Sequence, residues 1–239
     1  MKFSFHFPEP SINYLELRPS NLFSERFRHL LLLLYWPIYC VLFAFLENCY
    51  PRYMSSLGKE FHVMHCGLDD IIPFNELFLI PYIFWFLYIV IMIAYTLFYD
   101  IETYNKMMTF IIITYTIALI SYFTYPTIQF LRPPVFERNN FLTDFMRSFY
   151  NFDTNTNICP SVHVFGSFAS TFAVIHAKFA GKKIKIAAQI TNILICMSTV
   201  FLKQHSVIDV FTALPICIIA YVISFKYEGK RSKKLPEYV

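Results

Sequence analysis

The order of apolar and polar positions divides the chain into six apolar stretches: Leu30 to Leu46, Leu77 to Phe98, Met107 to Tyr125, Val162 to Ala177, Ile186 to Leu202 and Val207 to Phe225. A helix needs roughly 17 to 25 such residues to cross a bilayer core of about 30 Å, because lipid offers no partner to an unpaired backbone amide. The second and third stretches carry no charge, whereas the fourth is short and holds His163 and His176. Between the third and fourth, Phe141, Leu142, Phe145, Met146, Phe149 and Tyr150 recur at helical spacing opposite Asp144, Arg147, Ser148 and Asn151. This stripe predicts an amphipathic helix, lying in the membrane interface or packed on the bundle. The expected fold is therefore all-α: an integral membrane bundle of six transmembrane helices with an interfacial amphipathic helix. No Pro/Gly/Ser linker or fixed-period repeat breaks residues 1–239 into more than one membrane domain.

Composition agrees with that reading: 56% of the 239 residues are hydrophobic and only 15% charged, outside the range of ordinary soluble domains. No small-residue cleavage site follows Leu46, so the first stretch is expected to stay as a span. Fourteen of the 20 Lys and Arg fall in the amino-terminal tail, the second and fourth connections and the carboxyl tail. Basic flanks stay on the cytoplasmic side. Both termini, including a basic tail over 226–239, are thus expected inside a cell that carries the protein in its plasma membrane, with the first, third and fifth connections outside. The net charge of +4 then reports topology and contact with anionic lipid, not nucleic-acid binding. Cys40, Cys196 and Cys217 fall inside spans as small apolar residues. Cys49, Cys66 and Cys159 face outward, and a Cys49–Cys66 disulfide is one pairing the spacing allows.

Chemistry concentrates in the outward connections. His62, His65, Cys66, Asp69 and Asp70 lie in the first, but without a zinc-type spacing they read as a solvated loop and no metal site is expected. Two short segments matter more. Cys159, Pro160, Ser161, Val162 and His163 open the fourth span, and Lys203, Gln204, His205, Ser206, Val207, Ile208 and Asp209 open the sixth. Pro and Ser suit the first turn of a helix, whose free amides attract anions. His205 and Asp209 are four residues apart, so on a helix the carboxylate would hold one ring nitrogen protonated and leave the other free to attack. Arg132 supplies a forked donor that suits phosphate oxygens. Taken singly, each has a bland reading, a satisfied interfacial histidine or a headgroup anchor; ionisable groups converging on one face of a membrane bundle point to function.

At these residues the sequence resembles the type 2 phosphatidic acid phosphatase superfamily of membrane lipid phosphatases and phosphotransferases, whose motifs read K-x6-R-P, P-S-G-H and S-R-x5-H-x3-D. Arg132 and Pro133 match the end of the first. Pro160, Ser161 and His163 match the second, with Val162 in place of glycine, and Ser198, His205 and Asp209 match the third. Tyr125 stands where the first motif has lysine and Thr199 where the third has arginine. In these departures the chain looks like the branch of sphingomyelin and inositol phosphorylceramide synthases. The resemblance implies that His205 is the nucleophile, forming a phosphohistidine, with Asp209 fixing its tautomer and His163 serving as general acid and then base. Arg132, Ser161, Ser198 and Lys203 would hold the phosphate oxygens, Lys203 standing in for a missing clamp cation. It further implies a lipid phosphate or phospholipid substrate drawn from the bilayer, and neither cofactor nor metal; the distribution of basic residues places the expected active site on the extracytoplasmic face.

The rival expectation is a non-enzymatic transporter with His163, His205 and Asp209 as a proton relay, which calls for polar residues at mid-membrane and two similar halves. The five glycines are not clustered, which excludes P-loop, dinucleotide and nucleophile-elbow motifs.

Overall fold

The computed structural model describes residues 9–58 and 60–227. The amino-terminal residues 1–8 and most of the basic tail, from 228 onward, lie outside the described residues. The chain is mostly helical. A 3-10 stretch, Arg28–Leu34, leads into α1, Tyr35–Asn48; short α2, Tyr50–Ser56, strand β1, His62–Val63, and α3, Gly67–Ile71, follow. Next come α4, Leu79–Tyr99, and α5, Ile101–Thr124. Strand β2, Thr127–Ile128, and α6, Phe141–Phe152, precede α7, Val162–His176, α8, Lys182–Phe201, and α9, Val207–Tyr221, which runs on as a π-helical turn, Val222–Tyr227.

Five helical runs are long and apolar enough to cross a membrane: Arg28–Asn48, Glu76–Tyr99, Ile101–Thr124, Lys182–Phe201 and Val207–Lys226. They mark the chain as an integral membrane protein. The fourth expected span forms α7, which has 15 residues and so is only about 22 Å long. Helix α5 begins six residues before the apolar stretch that announces it. Asp100 accepts from Thr103 N at 3.1 Å, and Lys106 pairs with Glu102 at 2.6 Å, so a capped polar turn extends the helix beyond what hydropathy reveals.

Helix α7 lies inside the bundle, packed against α4, α5, α8 and α9. Its small residues Gly166, Ala169, Ser170 and Ala173 are fully enclosed and let the neighbours approach. Polar groups at this depth must find partners within the protein. Ser167 Oγ donates to Asn192 Oδ1 at 2.7 Å, Thr171 Oγ1 to the Ala188 carbonyl at 3.3 Å, and Ser170 Oγ to the Gly166 carbonyl at 2.9 Å. Helix α5 supplies much of the remaining core through Tyr104, Met107, Met108, Phe110 and Ile111.

At the end carrying the expected outward connections, β1 and β2 pair in parallel, His62 with Thr127 and Val63 with Ile128, and so fasten the α2–α3 connection to the α5–α6 connection. Leu142, Met146, Phe149 and Tyr150 of α6 pack onto Leu79, Tyr82, Phe136 and Leu202. Phe141 stays 79% exposed on the other side. All six cysteines are free, so Cys49 and Cys66 form no disulfide.

Gly166 allows α7 to touch α4 and α5. A Cβ there would lie 2.6 Å from Trp85 Nε1 and 2.7 Å from Tyr115 Oη. Gly166→Ala should therefore destabilise the protein by about 1–3 kcal/mol through overpacking, read as a lower melting temperature in detergent; an unchanged melting temperature would contradict this packing.

Candidate active site

The turn between α8 and α9 is shaped by one left-handed residue. Lys203 has φ +54°, which folds the chain back so that the Gln204 and His205 amides both donate to the Thr199 carbonyl at 3.0 Å. Ser206 then caps α9. Its Oγ accepts from Ile208 N at 3.2 Å, while Asp209 Oδ2 accepts from Ser206 N at 2.9 Å, a reciprocal capping box. His205 thus stands just ahead of the helix and not within it, as the four-residue spacing had suggested. The pairing survives because the capping box turns the Asp209 carboxylate back toward it: His205 Nδ1 lies 3.3 Å from Asp209 Oδ2. A carboxylate there keeps the proton on Nδ1 and leaves Nε2 with a lone pair.

That Nε2 lies 3.3 Å from His163 Nδ1. His163 occupies the first turn of α7, just after Ser161, whose amide donates to the Asp209 carbonyl at 3.3 Å and so ties the two helix starts together. Rings from α4 hold the imidazole in place, with Tyr82 stacked at 4.5 Å and Trp85 tilted at 4.4 Å. Asp209, His205 and His163 form one line. Ser161 Oγ and His163 Nε2 around it are buried without a protein partner. Native interiors rarely leave polar atoms so, and a cluster of them asks for a polar ligand.

Arg132 reaches the same end of the molecule by a different route. Its guanidinium donates to the carbonyls of Tyr150, Asp153 and Thr154 at 2.9, 2.7 and 2.7 Å and to Gln204 Oε1 at 2.6 Å, and it lies over the Tyr150 ring. Four acceptors leave little of it for a ligand, and only Nε lacks a partner. Lys203 Nζ is likewise held by the Asp69 and Ile72 carbonyls at 2.6 and 2.5 Å. Ser198 Oγ donates to the Ile195 carbonyl of its own helix at 2.6 Å. The structure therefore brings His163, His205, Asp209 and Ser161 together, sets Arg132 behind Gln204, and turns Ser198 and Lys203 to structural partners. Tyr125 stacks on His62 at 3.7 Å, and Thr199 Oγ1 donates to the Cys196 carbonyl at 2.8 Å.

Several residues join the site without a sequence signal. A small cavity of about 40 Å³ beside the histidines is lined by Glu47, Asp153, Asn157 and Gln204 as well as His163 and His205. Asp153 Oδ2 accepts from Tyr82 Oη at 3.1 Å and from Gln204 Nε2 at 3.2 Å. Burial pushes its carboxyl above the ordinary value, against the opposing pull of His205 and Arg132. Glu47, at the end of α1, accepts from Thr154 Oγ1 and from Asn157 Nδ2. Asp69 in α3 accepts from Ser206 Oγ at 2.6 Å, Val207 N at 2.8 Å and Cys66 N at 2.8 Å. No motif spacing links Glu47, Asp69, Asp153 or Asn157 to the histidines, and only the fold makes them neighbours, whereas Gln204 directly precedes His205. Among the described residues, no group of three or more His, Cys, Asp or Glu is disposed to hold a metal ion.

Burial alone would raise the Asp69 carboxyl, but its bonds from Ser206, Val207 and Cys66 outweigh that and hold it below its ordinary value. A carboxyl lowered by folding stabilises above its unfolded pKa, about 3.9, and loses that contribution as pH falls through its folded value. Asp69→Asn should cost about 1–3 kcal/mol at neutral pH through mismatched donors. Below about pH 4, thermal unfolding should show wild type losing stability toward the variant; a constant gap across that range would contradict the assignment.

Compared with protein families, curated proteins and solved structures, the chain matches none.

Proposed function

We propose that the protein is a membrane lipid phosphatase or lipid headgroup phosphotransferase that works through a phosphohistidine, as its motif resemblance to the type 2 phosphatidic acid phosphatase superfamily implies. The observation that carries this reading is the line Asp209–His205–His163, with its 3.3 Å separations and the unpaired Ser161 Oγ beside it. A carboxylate, a nucleophile and a proton carrier in that order are what phosphoryl transfer through an imidazole requires.

A phosphoryl group that enters as the two imidazoles part from their 3.3 Å contact meets His205 Nε2 on one side. Attack forms the N–P bond as the P–O bond to the lipid breaks, and His163 gives its proton to the departing alkoxide. Asp209 carries the charge of the new imidazolium. In the second step water or another hydroxyl attacks phosphorus, His163 takes its proton, and the N–P bond breaks. Ser161 and the free amides at the start of α7 serve the equatorial oxygens, where charge accumulates; Arg132 acts on them only through its unpaired Nε or after a partner is released. Neither metal nor cofactor enters the scheme. In this reading α7 is the sixth span, short because its neighbours enclose it, and α6 rests at the membrane surface with Phe141 toward lipid. The positive-inside bias puts both termini in the cytoplasm and the histidines on the outer face of the plasma membrane.

His205→Ala should abolish turnover and leave no acid-labile phosphorus on the protein. His163→Ala should slow cleavage of phosphatidate by about 10²–10⁴ and be partly rescued by p-nitrophenyl phosphate, whose leaving group needs little protonation. Equal rescue of both variants, or a phosphoenzyme trapped at His163, would exchange the two roles. Full activity should also remain in EDTA, since no step uses a cation; a loss restored by magnesium or zinc would overturn the mechanism.

A further inference from the structure

Helices α1 and α4 both rest against α5 but stand apart from each other, leaving a lateral groove of about 590 Å³. One wall is Trp36, Tyr39, Cys40 and Phe43, recurring at helical spacing along α1; the other is the α4 face from Phe86 to Phe98, and Tyr115 of α5 forms the floor. Nearly every lining residue is apolar. The histidine and the carboxylate in the lining, His163 and Asp153, stand together at the end beside Tyr82 and Trp85, and both also line the small cavity at His205. The groove is therefore an apolar trough that opens at its head into the reaction centre. From Phe86 to Phe98 its wall along α4 rises about 18 Å at 1.5 Å per residue, close to the half-thickness of a roughly 30 Å bilayer core, the depth that one lipid tail occupies.

We infer that this groove holds a single hydrocarbon chain of a phosphorylated membrane amphiphile, extended along α4 with its phosphate end at His163. The inference rests on the phosphoryl-transfer reading for its head group and on the groove alone for its tail. Surrounded by lipid, an apolar trough is filled by hydrocarbon, and the polar groups at one end give that hydrocarbon a direction. The wall is bulky except at Ala94, which faces the inner half of the groove and is exposed there. Ala94 consequently sets how far the chain reaches.

Two measurements on the full chain in detergent separate tail from head. The first compares octyl and hexadecyl phosphate as substrates. Ala94→Phe, which fills the inner half without disturbing packed core, should lower kcat/KM for hexadecyl phosphate by about tenfold or more while leaving octyl phosphate within about twofold. Val90→Phe, one turn nearer the head, should penalise both; it keeps the comparison available if Ala94→Phe fails to fold. The second uses a hexadecyl phosphate bearing a terminal diazirine and maps crosslinks by mass spectrometry on wild type and on His205→Ala. Labelling should concentrate on the inner groove around Ala94 and Leu97 in both proteins, because seating the tail needs no turnover. Crosslinks in the groove without hydrolysis would uphold the groove and remove the phosphoryl-transfer reading. Hydrolysis with equal loss of both substrates in Ala94→Phe, or labelling no stronger in the groove than at Ile190 and Ile193 on the outer face of α8, would overturn the groove.

Discussion

The arrangement at the functional end of the molecule depends on one carboxylate, Asp69, and the donors it gathers. Its two oxygens take the Ser206 hydroxyl, the Val207 amide and the Cys66 amide, so a residue in a connection between helices fixes the start of α9. Ser206, held in that way, offers its amide to Asp209, and Asp209 turns back to His205. Lys203 closes the arrangement from the other side by donating to the Asp69 carbonyl. The α3 connection and the α8–α9 turn thereby act as a single piece, and the imidazole orientation is set more than a hundred residues away in sequence. Unpaired, these groups would each cost several times what a satisfied bond contributes.

The helices were largely legible in the sequence, since hydropathy and length report what lipid demands of a backbone. The misjudged ends are those where a polar turn belongs to the helix: Asp100 with Thr103 and the Glu102–Lys106 pair at α5, and the lysines opening α8. The pairing of His205 with Asp209 was also legible, though a capping box and not a continuous helix brings it about. Asp153 and Glu47 were not, because their proximity to the histidines is made by loop pairing and by α1 reaching across to the connection before α7. Lys203 and Ser198 show the converse. Their residue types suit a phosphate, but a left-handed backbone and a helix interior direct them to carbonyl oxygens.

The charges near the histidines are unusual for an anion site. Glu47, Asp153 and Asp209 surround them, and the donors of the nearby Arg132 guanidinium are mostly taken by carbonyls and Gln204. Tyr125 and Thr199, at the positions where the resembling family carries cations, are engaged elsewhere. In the proposed reaction an oxyanion held here would lean on neutral donors: the Ser161 hydroxyl and the amides at the start of α7. Such donors discriminate by direction more than by charge, which suits a phosphoryl group whose negative charge is redistributed during transfer.

The length of α7 has a consequence for where the proposed chemistry would take place. At about 22 Å it falls short of a roughly 30 Å hydrocarbon core, so across such a core at least one of its ends stops beneath the headgroups. The polar neighbours that an immersed terminus needs, Glu47, Asp153 and Gln204, are assembled at the Val162 end. If α7 spans as proposed, the histidines would sit in a water-poor recess, where fields from fixed dipoles reach farther than they do at the surface, and a lipid substrate of the proposed kind could present its phosphate without lifting its tail out of the membrane.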